Sequence, residues 1–474
     1  MTERLPKIVL VAGAILAPLF LAYIAYSRPG YFTSQTYIAG LLLLEFLVVA
    51  VWMYRQVFFP LVMVAFLFAG VDLPVGSFWT VLRWVFLGVG ALVGSFIVLK
   101  ERRYHFGLFH AFALFAALAA LVSAAVSRYP SFALLKAFSL LMLFVYCATG
   151  ARLAVAGREN RFFTGLLTGC ELMVGGIAAC HFVGIEAMGN PNSLGAVVGV
   201  VGAPILLWGV LIDEKLLVHQ RRLLMYAVCM YLVFHSHARA GIAASFVSCG
   251  LLCLALRKYK LLTQGVGILL VLVAVAAIVQ PEALSNTVSS VTSSVLYKSK
   301  DPGLGVFASR EGPWQAAVDT IREHFWFGTG FGTTDNGRDA SEHLNQFSSI
   351  EGVTAENGSS YLAITTWVGV LGVVPFLLTL LALVGKVVRT LVWMRTTTNP
   401  CHPAVPLVMV MVAGLLHAGL EDWLFAPGYY LCVFFWSLAF VLVDVAPPVA
   451  LPQFASAWRP GPVQQTFGSV APSR

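Results

Sequence analysis

The sequence predicts an all-α polytopic membrane protein with about fourteen transmembrane helices and one large, partly helical outer loop. Composition is the first reason: 59% of the 474 residues are hydrophobic and only 11% are charged, against about a quarter charged in soluble domains, and the mean hydropathy is +0.84. The second is the recurrence of apolar runs approaching the ~20 residues that cross a bilayer. The third is an alternation of basic and non-basic loops between those runs.

The runs fall near 8–26, 36–54, 57–75, 78–99, 105–126, 132–150, 163–185, 193–212, 222–236, 240–256, 261–279, 360–385, 403–423 and 427–446. Pro60 and Pro74 break the third, and 222–236 is short, so two re-entrant segments would leave twelve spans. The first run follows MTERLPK and lacks a small-x-small cleavage site, which reads as an uncleaved anchor. Alternate loops are basic, with Arg4 and Lys7, Arg55, Lys100, Arg152 and Arg158, Arg221 and Arg222, Lys258, and Lys386 and Arg395. The short loops between them carry only Arg28, Arg128 and Arg239. This asymmetry predicts an even number of spans with both termini in the cytoplasm. The net charge of +8 then suits anionic lipid rather than nucleic acid. The eight cysteines lie in spans or at Cys401, which implies neither a disulfide framework nor a metal site.

The chain divides into spans one to eleven (1–279), an outer loop (280–359), spans twelve to fourteen (360–446) and a Pro-rich tail (447–474) expected to be disordered in the cytoplasm. Within the loop, 282–305 is Ser-rich. From Pro313, placed for a first turn, Trp314, Val318, Ile321 and Phe325 recur at helical spacing and predict an amphipathic helix over 313–325, lying on the membrane surface. The glycines of GTGFG at 328–332 read as a tight turn after that helix.

The residues able to carry chemistry gather at the outer side. Arg83 and Lys136 lie about a turn below the outer ends of their spans, where they either snorkel or hold an anion. Asn190 and Asn192 can cap the span that follows them. Arg239 sits between two apolar spans beside His235 and His237. Arg310 immediately precedes the loop helix, where a cation strengthens an anion site. His417 and Glu421, four residues apart, share one helix face as a structural or a catalytic pair. Glu45 and Glu171, nearer mid-span, read as structural partners. Glu356 opens a long apolar run and is either a helix cap or a base; Asn357, Ser359 and Ser360 offer other caps. Cations near lipid, a carboxylate and a covering loop together suit a lipid-linked phosphate substrate.

The order GNPNSLG (189–195), HARAG (237–241), SREGPWQAAVDTIREHFWFGTGFG (309–332) and ENGSSYLAITTWVGVLG (356–372) resembles the O-antigen ligase and O-antigen polymerase superfamily, over roughly residues 130–440. The resemblance implies a bacterial inner-membrane glycosyltransferase with a helical bundle and a periplasmic lid. Such an enzyme moves glycan from undecaprenyl diphosphate to an acceptor hydroxyl on the periplasmic side, in lipopolysaccharide or exopolysaccharide assembly. It implies no metal, no nucleotide and no other cofactor. Its partners would be the undecaprenyl-diphosphate-linked glycan, a glycan or lipid acceptor, the bilayer and other polysaccharide-assembly proteins.

Carried over by residue, Arg239 and Arg310 would hold the diphosphate, while Trp314, Gly328, Gly330 and Gly332 match the family's aromatic and glycine positions. Arg83, Lys136, Asn190, Asn192 and Asn357 join them as candidate diphosphate or glycan contacts, with His417 and Glu421 secondary. Ligases typically carry histidine where this chain has Glu356; Glu356 is therefore the candidate base, and His343, thirteen residues earlier, the substitute. The competing classes are a transporter or flippase of lipid-linked glycan, for which repeats and a midplane site are expected, and a structural scaffold.

Overall fold

The computed structural model describes residues 55–71, 76–101, 105–185, 187–188, 190–212, 215–267, 308–333 and 357–447, with isolated positions before 54 and at 274. The expected spans 8–26, 36–54 and 261–279, the Ser-rich stretch 282–305 and the tail lie wholly or mostly outside the described residues, as do Glu356 and His343. Among the described residues the ordered structure is helical throughout. Its helices are α1 Arg55–Ala69, α2 Gly76–Glu101, α3 Leu108–Ala125, α4 Pro130–Val155, α5 Glu159–Phe182, α6 Pro191–Ile212, α7 Leu216–His235, α8 Arg239–Ala255, α9 Ala308–Glu323, α10 Ser360–Thr397, α11 Ala404–Ala418 and α12 Tyr430–Val445. Six of them (α2 to α6 and α10) are long and apolar enough to cross a membrane, and α1, α8, α11 and α12 supply shorter apolar helices. The figure of fourteen spans is not established by this count.

Among the described residues α2, α4, α6, α8, α10 and α12 all start at one end of the bundle, where α9 also begins. Contacts across that end confirm the arrangement: Arg83 near the start of α2 reaches Gly428 just before α12, and Ser193 in α6 meets Tyr429. Two starts follow rules legible in the sequence. Pro130 and Pro191 take N-terminal helix positions, where a missing N–H costs nothing. Asn190 caps α6, its Oδ1 accepting from Asn192 N at 2.8 Å.

The centre of the bundle is α11 with α12. Val405 and Leu407 to Met411 are fully buried, and Trp436 and Phe435 lie among the largest buried side chains. Large apolar side chains on the flanks stay exposed, Leu92, Leu172 and Leu381 among them, as expected for surfaces that face lipid rather than water. The end opposite Arg239 holds several acid–base pairs. Buried Arg152 forks onto Asp444 (Nε to Oδ2, 2.6 Å; Nη2 to Oδ1, 2.8 Å), and Glu171 serves Arg221 at 3.0 Å and Arg222 at 3.4 Å. Glu171 is thus a structural partner.

Small residues set how α6 and α8 meet. A Cβ on Gly199 would sit 2.5 Å from the Gly241 carbonyl oxygen, and one on Gly195 would lie 2.9 Å from Ser236 Oγ. Without side chains the two backbones approach closely, the packing mode of membrane helices. Gly241 is two residues from Arg239, so this contact fixes Arg239 beside the GNPNSLG turn.

Candidate functional site

The glycine-rich stretch is not a free tight turn. It is docked into a break in α10. Gly369 has φ +67° and ψ −177°, a conformation that removes two helical hydrogen bonds, Val370 N to Thr366 O and Leu371 N to Trp367 O. The segment after α9 takes up all four freed groups. Thr329 N and Gly330 N donate to the Thr366 and Trp367 carbonyls, each at 3.0 Å. Val370 N and Leu371 N donate to the Phe325 and Trp326 carbonyls at 2.8 and 3.3 Å. Irregular backbone at membrane depth survives only where such partners exist.

The neighbouring helices clamp this segment from the other side. Ser123 Oγ donates to the Trp367 carbonyl at 2.6 Å, Ser127 Oγ to Thr329 O at 2.8 Å, and Lys136 Nζ to Gly332 O at 2.7 Å. Phe331 is completely buried. Lys136, expected as an anion contact, is therefore spent on a backbone carbonyl of the protein.

The loop helix differs from its expectation. It spans Ala308–Glu323 rather than 313–325, so Pro313 is its sixth residue and Arg310 lies within its first turn instead of before it. The apolar register still holds at Trp314, Ala317, Val318 and Ile321, which turn inward while Gln315, Asp319 and Arg322 face outward; Phe325 is exposed. The inward face packs on α10. Trp314 Nε1 donates to the Gly358 carbonyl at 3.2 Å.

A second loop, Gly419 to Tyr429, joins these parts. Glu421 forms an ion pair with Arg310. Asp422 Oδ2 accepts from Asn357 N at 2.9 Å, and Ser360 Oγ donates to the Glu421 carbonyl at 2.6 Å while accepting from Leu424 N at 3.0 Å. Arg83 Nη1 donates to Gly428 O at 2.8 Å, with its guanidinium over Phe66 and Trp84. Burial pushes the Tyr429 phenol above its ordinary pKa, so it remains a neutral donor toward Ser193 Oγ at 3.4 Å. His417 and Glu421 do not form the expected pair on one helix face. α11 ends at Ala418, so Glu421 lies in the loop, while buried His417 accepts from Trp423 Nε1 at 2.8 Å.

The outcome is a cationic cluster. Arg239 starts α8, Arg310 lies in the first turn of α9, and the two guanidiniums are near enough to oppose each other's charge. The Arg310–Glu421 side chains are about four-fifths buried, 18% and 15% exposed, which strengthens every charge interaction there. Arg239 is only partly covered. The α6–α8 contact sets the Asn190–Ser193 stretch at the same end as the start of α8, and Asn357 is buried. Chemically, two arginines within reach of each other's charge, one of them paired with a carboxylate, have the donor set that a multiply charged anion requires.

Residues 223–377 match the model of the O-antigen ligase family. That segment contains Arg239, Arg310, Trp314, the docked glycines, Glu356, Asn357 and the break at Gly369.

Over that third of the chain the protein is similar to the O-antigen ligase family. No curated protein matches the chain. The ligase-family segment accounts for both arginines and for both sides of the α10 break. It does not include Arg83, Lys136, Asn190 or the Gly419–Tyr429 loop, which the fold alone brings to it. Sequence reasoning missed that loop's part as the joint between Arg310, Asn357 and α10. A signal was present: the string GLEDWLFAPG, with two acids and a Pro-Gly turn between apolar runs, is too polar to be only a span end. The break carried one too, in the glycines inside the apolar run TWVGVLG.

Proposed function

We propose that the protein transfers a glycan from an undecaprenyl-diphosphate donor to an acceptor hydroxyl at the periplasmic face of a bacterial inner membrane, as a polymerase or a ligase. What carries this reading is the mostly buried Arg310–Glu421 pair together with Arg239, about seventy residues away in the chain, which the α6–α8 contact sets at the same end of the bundle within reach of the Arg310 charge. The match of residues 223–377 to the O-antigen ligase family supports glycan transfer in general. The basic loops at the opposite end of the bundle support a periplasmic site, since Lys and Arg favour the cytoplasmic side.

In this reading the two guanidiniums compensate the diphosphate as negative charge builds on it. The acceptor oxygen bonds to the anomeric carbon while the carbon–oxygen bond to the diphosphate breaks, and attack from the opposite face inverts configuration. Glu356, or His343 in its place, takes the hydroxyl proton. Asn357, next in the chain after Glu356, is tied to Asp422 and so to the Arg310–Glu421 pair. A transporter reading gains no support from the broken helix: transporters use such breaks to bind ions, whereas the four freed groups of α10 are satisfied by residues 325–330.

The test is turnover of a lipid-diphosphate oligosaccharide by purified protein. A longer lipid-linked chain means polymerase, transfer to another lipid means ligase, and no product with either acceptor refutes the reading. Arg239→Ala and Arg310→Ala should each abolish transfer while the protein still accumulates in the membrane. Lysine should rescue poorly because the planar fork is lost. Full activity of either alanine variant would remove that residue from the diphosphate site.

A further inference from the structure

The end of the bundle opposite Arg239 carries its own unassigned feature. Its buried or half-buried arginines are matched by acids: Arg152 by Asp444, Arg55 by Glu101 and Arg222 by Glu171. Arg158 and Arg161 are exposed, and among the described residues neither side chain has a hydrogen-bond or ion-pair partner. What distinguishes them from other exposed cations at this end is what they line.

Two cavities meet at these arginines. One, of about 500 Å³, is polar and is bounded by Gln56 and residues 157–161. The other, of about 320 Å³, is apolar and runs between α1, α5, α6 and α12, walled by Phe59, Met63, Leu166 and Phe434. Gln56, Arg158 and Arg161 line both. Gln56 Oε1 is buried at the junction without a hydrogen-bond partner. The one carboxylate in the polar basin, Glu159, accepts from Gly157 N at 2.9 Å, so the basin keeps a net positive charge.

Along α5 the lining runs from Arg158 to Met173; fifteen steps at 1.5 Å make roughly 22 Å, room for one extended acyl chain. The floor of the trough is open because Gly165 and Gly169 stand there, and a Cβ on either would touch nothing within 4 Å. The far end is closed by Tyr430, whose hydroxyl donates to the Ser193 carbonyl at 3.0 Å.

An apolar trough opening into a basin with two unmatched arginines has the shape and charge of an anionic amphiphile. We infer that this is a binding site for an anionic phospholipid of the leaflet at this end, its phosphodiester on Arg158 and Arg161 and one acyl chain along α5. The glycan donor fits this site poorly, because its diphosphate belongs with Arg239 and Arg310 at the other end of the bundle.

The experiment uses delipidated full-length protein in neutral detergent. Phosphatidylglycerol, phosphatidylcholine and undecaprenyl phosphate are titrated separately, and binding is read by native mass spectrometry and thermal shift. Phosphatidylglycerol should bind and stabilise best. Arg158→Ala/Arg161→Ala should weaken its binding roughly 25-fold, about fivefold for each cation near a lipid phosphate. Gly165→Phe should weaken it with both arginines intact by filling the trough. Arg239→Ala should leave it unchanged. Because Arg158 and Arg161 are exposed, the double variant keeps the packed core, and its monodispersity checks this. Equal binding of phosphatidylcholine, a preference for undecaprenyl phosphate, or wild-type binding by either trough variant would overturn the assignment.

Discussion

Replacing Gly369 by alanine tests whether the docked glycine segment depends on the break in α10. At φ +67° and ψ −177° the backbone is in a region nearly reserved for glycine, where a side chain costs about 1–3 kcal/mol. A Cβ there would also lie 2.5 Å from Phe327 N, so the docked segment itself would have to move. The alternative is an uninterrupted α10. That conformer regains two backbone bonds and favours alanine over glycine by about 1 kcal/mol. It strands Thr329 N, Gly330 N and the Phe325 and Trp326 carbonyls, and removes the Trp367 carbonyl from Ser123.

Strain and helix propensity together shift the docking equilibrium by about 3 kcal/mol, or roughly 150-fold. Counted at about 1 kcal/mol per bond, the hydrogen bonds that favour docking are of the same size, so the undocked form becomes populated. Hydrogen exchange in nanodiscs reads this directly. The Thr329 and Gly330 amides should exchange roughly 100-fold faster in Gly369→Ala, and glycan transfer should fall with them. Gly385→Ala, at a position where a Cβ meets nothing within 4 Å, is the control and should leave exchange unchanged. Wild-type protection of Thr329 and Gly330 in Gly369→Ala would refute the dependence of the docked segment on the broken helix.

Glu421→Gln removes the acid from a mostly buried pair and should destabilise the protein by about 2 kcal/mol; added pyrophosphate should restore more of the melting temperature in the variant than in the wild type, and no ligand effect would count against an anion site at Arg310. Glu356→Gln should stop turnover at matched expression with partial rescue by Glu356→His, whereas an active Gln variant with an inactive His343→Ala would move the base to His343. A reporter fused after residue 320 should read as periplasmic and one after 395 as cytoplasmic; the same side for both would invalidate the membrane placement of the site.

Hydropathy and local stereochemistry were legible in the sequence because they depend on neighbours in the chain. Eleven of the predicted apolar runs, from 57–75 to 427–446, coincide with helices between Arg55 and Val445. The cap at Asn190 and the proline at the start of α6 follow from rules local to four residues. The order of short motifs also pointed to the ligase and polymerase superfamily before any coordinates.

Pairing across the fold was not legible. Periodicity gave α9 its inward face but not its start, because a proline tolerated at the sixth position looks in sequence like a first-turn signal. GTGFG read as a turn because its partners, Thr366 and Trp367, lie almost forty residues away and are backbone carbonyls, which carry no sequence mark. His417 and Glu421 looked paired because the spacing assumes a continuing helix, and α11 stops between them. The sequence by itself determined that cations would lie at the two ends of a helical bundle, since charge is excluded from apolar runs. The tertiary structure alone decided their partners: Lys136 and Arg83 are drawn onto backbone carbonyls that the folded loops present, Arg310 onto Glu421, and the Gly195–Gly241 contact sets Arg239 beside α6, all positions that exist only once distant segments have packed.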